Sequence, residues 1–317
     1  MRVLPSRTAV VLANPVARRA LPAHALEAAA FAIRERGWDV SIEEMTSAAQ
    51  TRDRAAEHAR AGVDAILACG GDGTLQTVLN GVLSAGCTGV AVGVIPAGTA
   101  NVWAAEAGVP GEPGRALALL EHGERRRVDI GRVRIGEGEA LRFLLVCGVG
   151  LDAAVIEAVD GHPAWKRRLG RLAFVLPALA ALLRTRSVEA RVTVDGEDLI
   201  AHRLLLALVS NTQRYGGVAA LAHSAIDDGL LEVAIFEASG SPIDRLRLVT
   251  AALRGHLDAR VVRGMTHRRA RSITITPAVP LPVEVDGDAI GRCGPDAPLR
   301  IEVEPQALTM ICAARRD

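Results

Sequence analysis

The chain has 317 residues and a formal net charge of +1, and half of its residues are apolar, enough for two domains with sizeable cores. Near-neutral charge and only eight aromatic residues (four Phe, three Trp, one Tyr) argue against a nucleic-acid platform. Lys166 is the only lysine, which excludes a phosphate loop ending in Gly-Lys-Ser/Thr, and the five cysteines (69, 87, 147, 293 and 312) follow neither disulfide-framework nor zinc spacing.

In chain order, residues 9–13 read as a short apolar strand ending at Asn14-Pro15, followed by a helix with Leu26, Ala29, Ala30 and Ile33 on one face that ends near Gly37. Residues 38–42 alternate as a strand, Thr46 and Ser47 are loop or cap residues, and a second helix runs to Gly62. Residues 63–69 form an apolar run with the pattern of a strand buried on both faces. The alternation of strand and helix predicts a parallel sheet covered by helices.

That third strand stops at Gly70-Gly-Asp-Gly-Thr-Leu75, after which Leu75, Val78, Leu79, Val82 and Leu83 mark one face of a helix. Glycines at a strand-to-helix turn allow close approach to the backbone, and the unpaired N–H groups of a helix start attract phosphate. Asp72 would repel that anion unless a cation intervenes, so a metal-assisted phosphate cradle is expected there. The next strand, residues 90–95, also ends in a small-residue turn, Pro96-Ala-Gly-Thr-Ala-Asn101. Strand ends on one edge of a parallel sheet converge on one crevice, so Asn14, Gly70 to Thr74 and Gly98 to Asn101 should meet.

From about Arg127 the period changes to strands. They are expected at 127–133, 141–149, 189–194, 203–211, 230–236, 272–276, 283–285 and 299–303, an antiparallel second domain. Its boundary falls near residue 130, giving domains of 1–130 and 131–317, with the last strand free to return to the first. Residues 172–183 are apolar apart from Pro177 and are flanked by Lys166, Arg167, Arg168, Arg171, Arg184 and Arg186. Both an interfacial or acyl-facing helix and a core helix with solvated arginines fit that pattern. No leader peptide opens the chain and no run reaches the roughly 18 apolar residues needed to span a bilayer, so a cytoplasmic location is expected, with peripheral contact at the inner membrane face.

Acidic residues next to glycines recur at strand ends: Asp152 in Gly148-Val-Gly-Leu-Asp152, Asp227 and Asp228 before Gly229, and Asp286 in Val285-Asp-Gly-Asp288. Asp195-Gly196 reads as a plain turn between strands. Taken with Gly70-Gly-Asp-Gly-Thr74, Pro96-Ala-Gly-Thr-Ala-Asn101 and Tyr215-Gly-Gly217, these motifs resemble, in order and over nearly the whole chain, the diacylglycerol kinase catalytic family. The bacterial lipid kinases for diacylglycerol, phosphatidylglycerol and sphingoid bases are the branch they most resemble.

The resemblance implies an α/β fold, with an N-terminal parallel nucleotide-binding domain of the NAD kinase and diacylglycerol kinase type before a mainly antiparallel β-sandwich. It implies a kinase that uses ATP and Mg2+ to phosphorylate a lipid hydroxyl, with the nucleotide between the domains. By matching position, Asn14, Thr46, Gly70, Gly71, Asp72, Gly73, Thr74, Leu75, Thr99 and Asp288 would contact the nucleotide. Asp286 would be the general base, Asp72 and Asp152 would be tied to the catalytic magnesium, and Asp228 with Ala225 and Leu230 would form a structural magnesium site.

The expected partner is a lipid at a membrane surface, not nucleic acid, and a homodimer is compatible with the sequence. Three positions depart from the family pattern: Arg18 stands for a glycine, Asp288 for a glutamate, and His223-Ser224 where a proline is common. An NAD kinase shares the first loop and is the alternative enzyme, and a catalytically silent lipid- or nucleotide-binding regulator is the alternative of another class.

Overall fold

Strand and helix alternate through the first 100 residues as the apolar pattern predicts. The computed structural model describes residues 7–15, 17, 21–87, 89–160, 185–215, 219–220, 225–238, 248 and 264–314. The apolar segment at 172–183, Lys166, Arg18, Gly216, Gly217 and His223-Ser224 lie outside them. The chain divides into two units, Met1–Val128 with Gln306–Asp317, and Asp129–Pro305.

The first unit contains β1 (Arg7–Ala13), α1 (Ala23–Arg34), β2 (Trp38–Glu44), α2 (Ala48–Ala61), β3 (Ala65–Gly70), α3 (Asp72–Ser84), β4 (Ala91–Pro96), α4 (Val102–Glu106), α5 (Pro113–Leu117) and α6 (Leu119–His122). Its strands are all parallel in the order β4, β3, β1, β2, with Thr309 and Met310 pairing beside β4. Every residue of β3 and β4 is buried, which is why they lack the polar alternation of one-sided strands. Leu75, Val78, Leu79 and Val82 bury the inner face of α3. Each such large aliphatic contributes roughly 1.5–3 kcal/mol when fully buried. The register sets Ala13 beside both Glu44 and Cys69, and Gly70 beside Pro96, so the strand ends share one edge.

Strand β5 (Glu124–Ile135) leads into the second unit, followed by β6 (Leu141–Phe143), β7 (Val146–Gly150), α7 (Leu151–Asp160), β8 (Val188–Val194), β9 (Glu197–Ser210), the short β10 (Arg214–Tyr215) and β11 (Ala219–Ala220), β12 (Leu231–Glu237), β13 (Met265–Ala270), β14 (Ser272–Pro277), β15 (Leu281–Val285), β16 (Asp288–Cys293) and β17 (Leu299–Cys312). Their described pairings with one another are antiparallel, and only the end of β17 runs parallel to β4. Strand β9 is shared. Its first half pairs with β8, and its second half lies between β7 and β12, so it links two runs of strands around a core of Val192, Val209, Val233, Ile273, Val283 and Ile301.

The strand expected at 141–149 is broken at Leu144-Leu145, because their N–H groups go to a carboxylate instead of a neighbouring strand. Strands β13 and β16 are additions to the expected set. Met265–Ala270 and Asp288–Cys293 carry too few apolar residues to show a period of two. Asp195 is a turn residue, in the left-handed region (φ 48°), with its carboxylate accepting the N–H groups of Arg271 and Ser272.

Candidate active site

In the first unit, the loop after β3 and the loop after β4 touch backbone to backbone. A Cβ added to Gly98 would lie 2.4 Å from the Cα of Gly71, a distance no side chain permits. Ala97 N–H donates to the Gly70 carbonyl at 2.8 Å, and Asn101 clasps its own loop, accepting from Gly98 N–H and donating to the Gly98 carbonyl, both at 3.0 Å. Asn14 reaches the same place, with Nδ2 donating to Thr74 Oγ1 at 3.2 Å. The convergence of Asn14, Gly70 to Thr74 and Gly98 to Asn101 is therefore present in the structure. A Cβ added to Gly73, an exposed residue in the first turn of α3, would have nothing within 4 Å, which leaves open space at the helix start.

Three residues expected at the nucleotide have partners within the protein. Asp72 accepts the N–H groups of Val102 and Trp103 at 3.0 and 3.1 Å, capping α4 with both carboxylate oxygens. Its carboxylate thus has main-chain partners and joins the two loops. Leu75 is a core residue, 1% exposed, with its N–H already bonded to the Gly71 carbonyl. Thr46 is exposed beyond β2, its N–H and hydroxyl both donating to Gln50 Oε1 at the start of α2. Thr99 is exposed in the second loop.

In the second unit, Asp286 and Gly287 form the two-residue turn of the β15–β16 hairpin, at φ 50° and 94°. The Asp286 carboxylate is held by three main-chain donors: Leu144 N–H at 2.9 Å, Leu145 N–H at 2.9 Å and Val146 N–H at 2.8 Å. The carbonyls of Leu144 and Leu145 are fixed in turn by buried Asn211, which donates Nδ2 to Leu144 and its main-chain N–H to Leu145. This nest fixes the orientation of the Asp286 carboxylate at the hairpin turn, and Asp288, two residues on, is solvent-exposed.

Behind the turn lies a residue that no glycine motif marks. Glu284 is 1% exposed and accepts Gly287 N–H at 2.8 Å through Oε2. Its Oε1 and the Oδ2 of Asp152 are both buried without another hydrogen-bond partner. Both converge on Gly148, where an added Cβ would lie 2.1 Å from Asp152 Oδ2 and 2.6 Å from Glu284 Oε1. Strand pairing explains this, since Gly148 is directly opposite Glu284. Burial pushes the Asp152 carboxyl up to about 6, and burial with the Asp152 charge raises Glu284 well above the usual range. Burial and these acids also keep Cys147 a thiol. The sequence signals this acid only as one glutamate inside an apolar strand, Leu281–Val285.

Two orphaned carboxyl oxygens side by side satisfy each other by sharing a proton, and they are two of the oxygens a hard cation would take, while no group of three or more such ligands occurs among the described residues. At the Asp228 turn both carboxylate oxygens have protein partners. Asp228 Oδ1 accepts Leu230 N–H at 3.1 Å, and Oδ2 is paired with the Arg269 guanidinium. The turn is anchored instead by buried Asp129, whose Oδ2 accepts Gly229 N–H at 2.6 Å.

A parallel α/β unit with a glycine cradle and an antiparallel unit with acids at its hairpins define a diacylglycerol kinase-type fold. Residues 8–133 match the model of the diacylglycerol kinase catalytic domain, and residues 146–312 that of the YegS C-terminal NAD kinase beta sandwich-like domain. The chain is 30% identical over 305 residues to a diacylglycerol kinase of Mycobacterium tuberculosis, covering 95% of this chain and 93% of that one. It is 28% identical to a diacylglycerol kinase of Bacillus subtilis, covering 89% of this chain and 90% of that one. A solved diacylglycerol kinase structure from Bacillus anthracis shares the fold at a TM-score of 0.72 and 19% identity, covering 97% of both chains. The chain belongs to the diacylglycerol kinase family of lipid kinases.

Proposed function

We propose that the chain is a Mg2+-dependent lipid kinase that transfers the γ-phosphate of ATP to the hydroxyl of a diacylglycerol-like lipid at a membrane surface. The observation that carries this reading is the Gly71–Gly98 backbone contact beside the open first turn of α3, in a chain of lipid-kinase ancestry. Phosphoryl transfer depends on alignment and charge neutralisation more than on covalent chemistry. The main-chain N–H groups of Gly71 to Gly73 supply donors for phosphate oxygens, and the side-chain-free face of Gly73 admits them. Asn14 and Thr74, bonded to one another, fix the rim of that cradle.

Mg2+ supplies charge neutralisation when bound, and Asp152 with Glu284 would hold it in the second unit. We assign acceptance of the lipid hydroxyl proton to Asp288, which is solvent-exposed, whereas the Asp286 carboxylate already accepts three main-chain N–H groups. The test is transfer from γ-labelled ATP, with Mg2+, to a panel of diacylglycerol, phosphatidylglycerol and a sphingoid base, with NAD as a further acceptor. Label is expected in a lipid phosphate. ATP binding with no label on any lipid contradicts the proposal, and label on NAD makes the chain an NAD kinase.

A further inference from the structure

We propose that Arg269 replaces a structural divalent cation at the Asp227–Gly229 turn, so that this chain holds the turn without metal. The β12–β13 register puts Glu232 directly opposite Arg269. Glu232 is 1% exposed and needs a counter-charge, because a buried carboxylate left alone is costly. Arg269 Nε lies 2.9 Å from Glu232 Oε1, and Nη2 of the same guanidinium pairs with Asp228 Oδ2. One planar cation therefore bridges a buried acid on β12 and a half-buried acid on the turn before it, the forked task for which arginine is suited.

Asp228 Oδ1 takes Leu230 N–H and Asp129 takes Gly229 N–H, while the buried Glu232 oxygens lie in ion-pair contact with Arg269 and with His267, on the same face of β13, but make no hydrogen bond. Mg2+ requires near-octahedral oxygens at about 2.1 Å, so entry at Asp228 would displace the guanidinium or set two cations against one carboxylate. A guanidinium is tethered and always charged, so the turn should keep its shape where Mg2+ is scarce.

The experiment measures Mg2+ binding and thermal unfolding of the full chain, and neither readout depends on turnover. Wild type and Asp228→Asn are expected to bind the same amount of Mg2+, with equal responses of Tm to EDTA. Arg269→Gln is expected to unfold several degrees lower and to gain a Mg2+-dependent rise in Tm that is lost in the Arg269→Gln, Asp228→Asn double variant. A wild-type Mg2+ site that Asp228→Asn removes overturns the proposal. If Arg269→Gln does not fold, the wild-type and Asp228→Asn pair decides the matter alone.

Discussion

The glycine cradle of the first unit and the acid cluster of the second use opposite means. In the cradle the chain gives up side chains: Gly71 and Gly98 touch at the backbone, and Gly73 leaves space at a helix start. In the cluster it buries charge, with Asp286 held by three N–H groups, Glu284 1% exposed, and Asp152 beside it. The first arrangement is local and depends on φ, ψ and contact. The second depends on partners more than 130 residues away in sequence, so its members can be reassigned only by seeing what each carboxylate touches.

The largest expected effect separates the two aspartates of one hairpin. Asp286→Ala strands three N–H groups at 144–146, each costing about 1–3 kcal/mol if left unmet. For a unit of this size that lowers Tm by on the order of 10 °C. Asp288→Asn, at an exposed position, should leave Tm unchanged while reducing turnover by about 10²–10⁴-fold. Thermal unfolding and initial rates on both variants check this; normal rates in Asp288→Asn would return the base to another residue.

A second contrast lies inside the cradle. Gly98→Ala must push the two loops apart, because its Cβ meets Gly71 Cα at 2.4 Å, and should abolish measurable ATP binding by calorimetry. Gly73→Ala meets nothing in the protein and removes a helical glycine, a gain of up to about 1 kcal/mol in stability. If phosphate oxygens occupy that space, ATP affinity should fall while Tm rises. Unchanged ATP affinity in Gly73→Ala would move the phosphates elsewhere.

The smallest effect is on pH dependence. Asp152 and Glu284 hold protons more tightly folded than unfolded, so the stability they contribute is complete below about pH 4 and is lost as pH rises through about 6. In metal-free buffer, denaturant midpoints should fall across that window. Glu284→Gln, whose amide can donate to Asp152 and still accept Gly287 N–H, should flatten the fall. An identical slope in the variant would show that the pair is not its source.

The α/β pattern, the convergence of Asn14 with both glycine turns, and most strands are legible in the sequence, because burial on both faces and the strand-to-helix turns leave strong local marks. The roles of individual acids are not. Nothing in Gly70 to Thr74 says that Asp72 caps a helix 30 residues later. Nothing around Asp286 says that Leu144 and Leu145 leave the strand to bind it. Arg269 sits in a polar strand, Met265–Ala270, that carries no periodic signal, and its meaning appears only when β13 pairs with β12.

The most direct measurement of the central claim is the rate at which γ-label from ATP enters diacylglycerol in mixed micelles with Mg2+, compared between wild type, Asp288→Asn and Gly98→Ala. The account predicts lipid phosphate from wild type, at least a hundredfold loss in Asp288→Asn with ATP binding intact, and loss of both binding and transfer in Gly98→Ala. Wild-type protein that binds ATP yet labels no lipid, or an Asp288→Asn variant as fast as wild type, would contradict it.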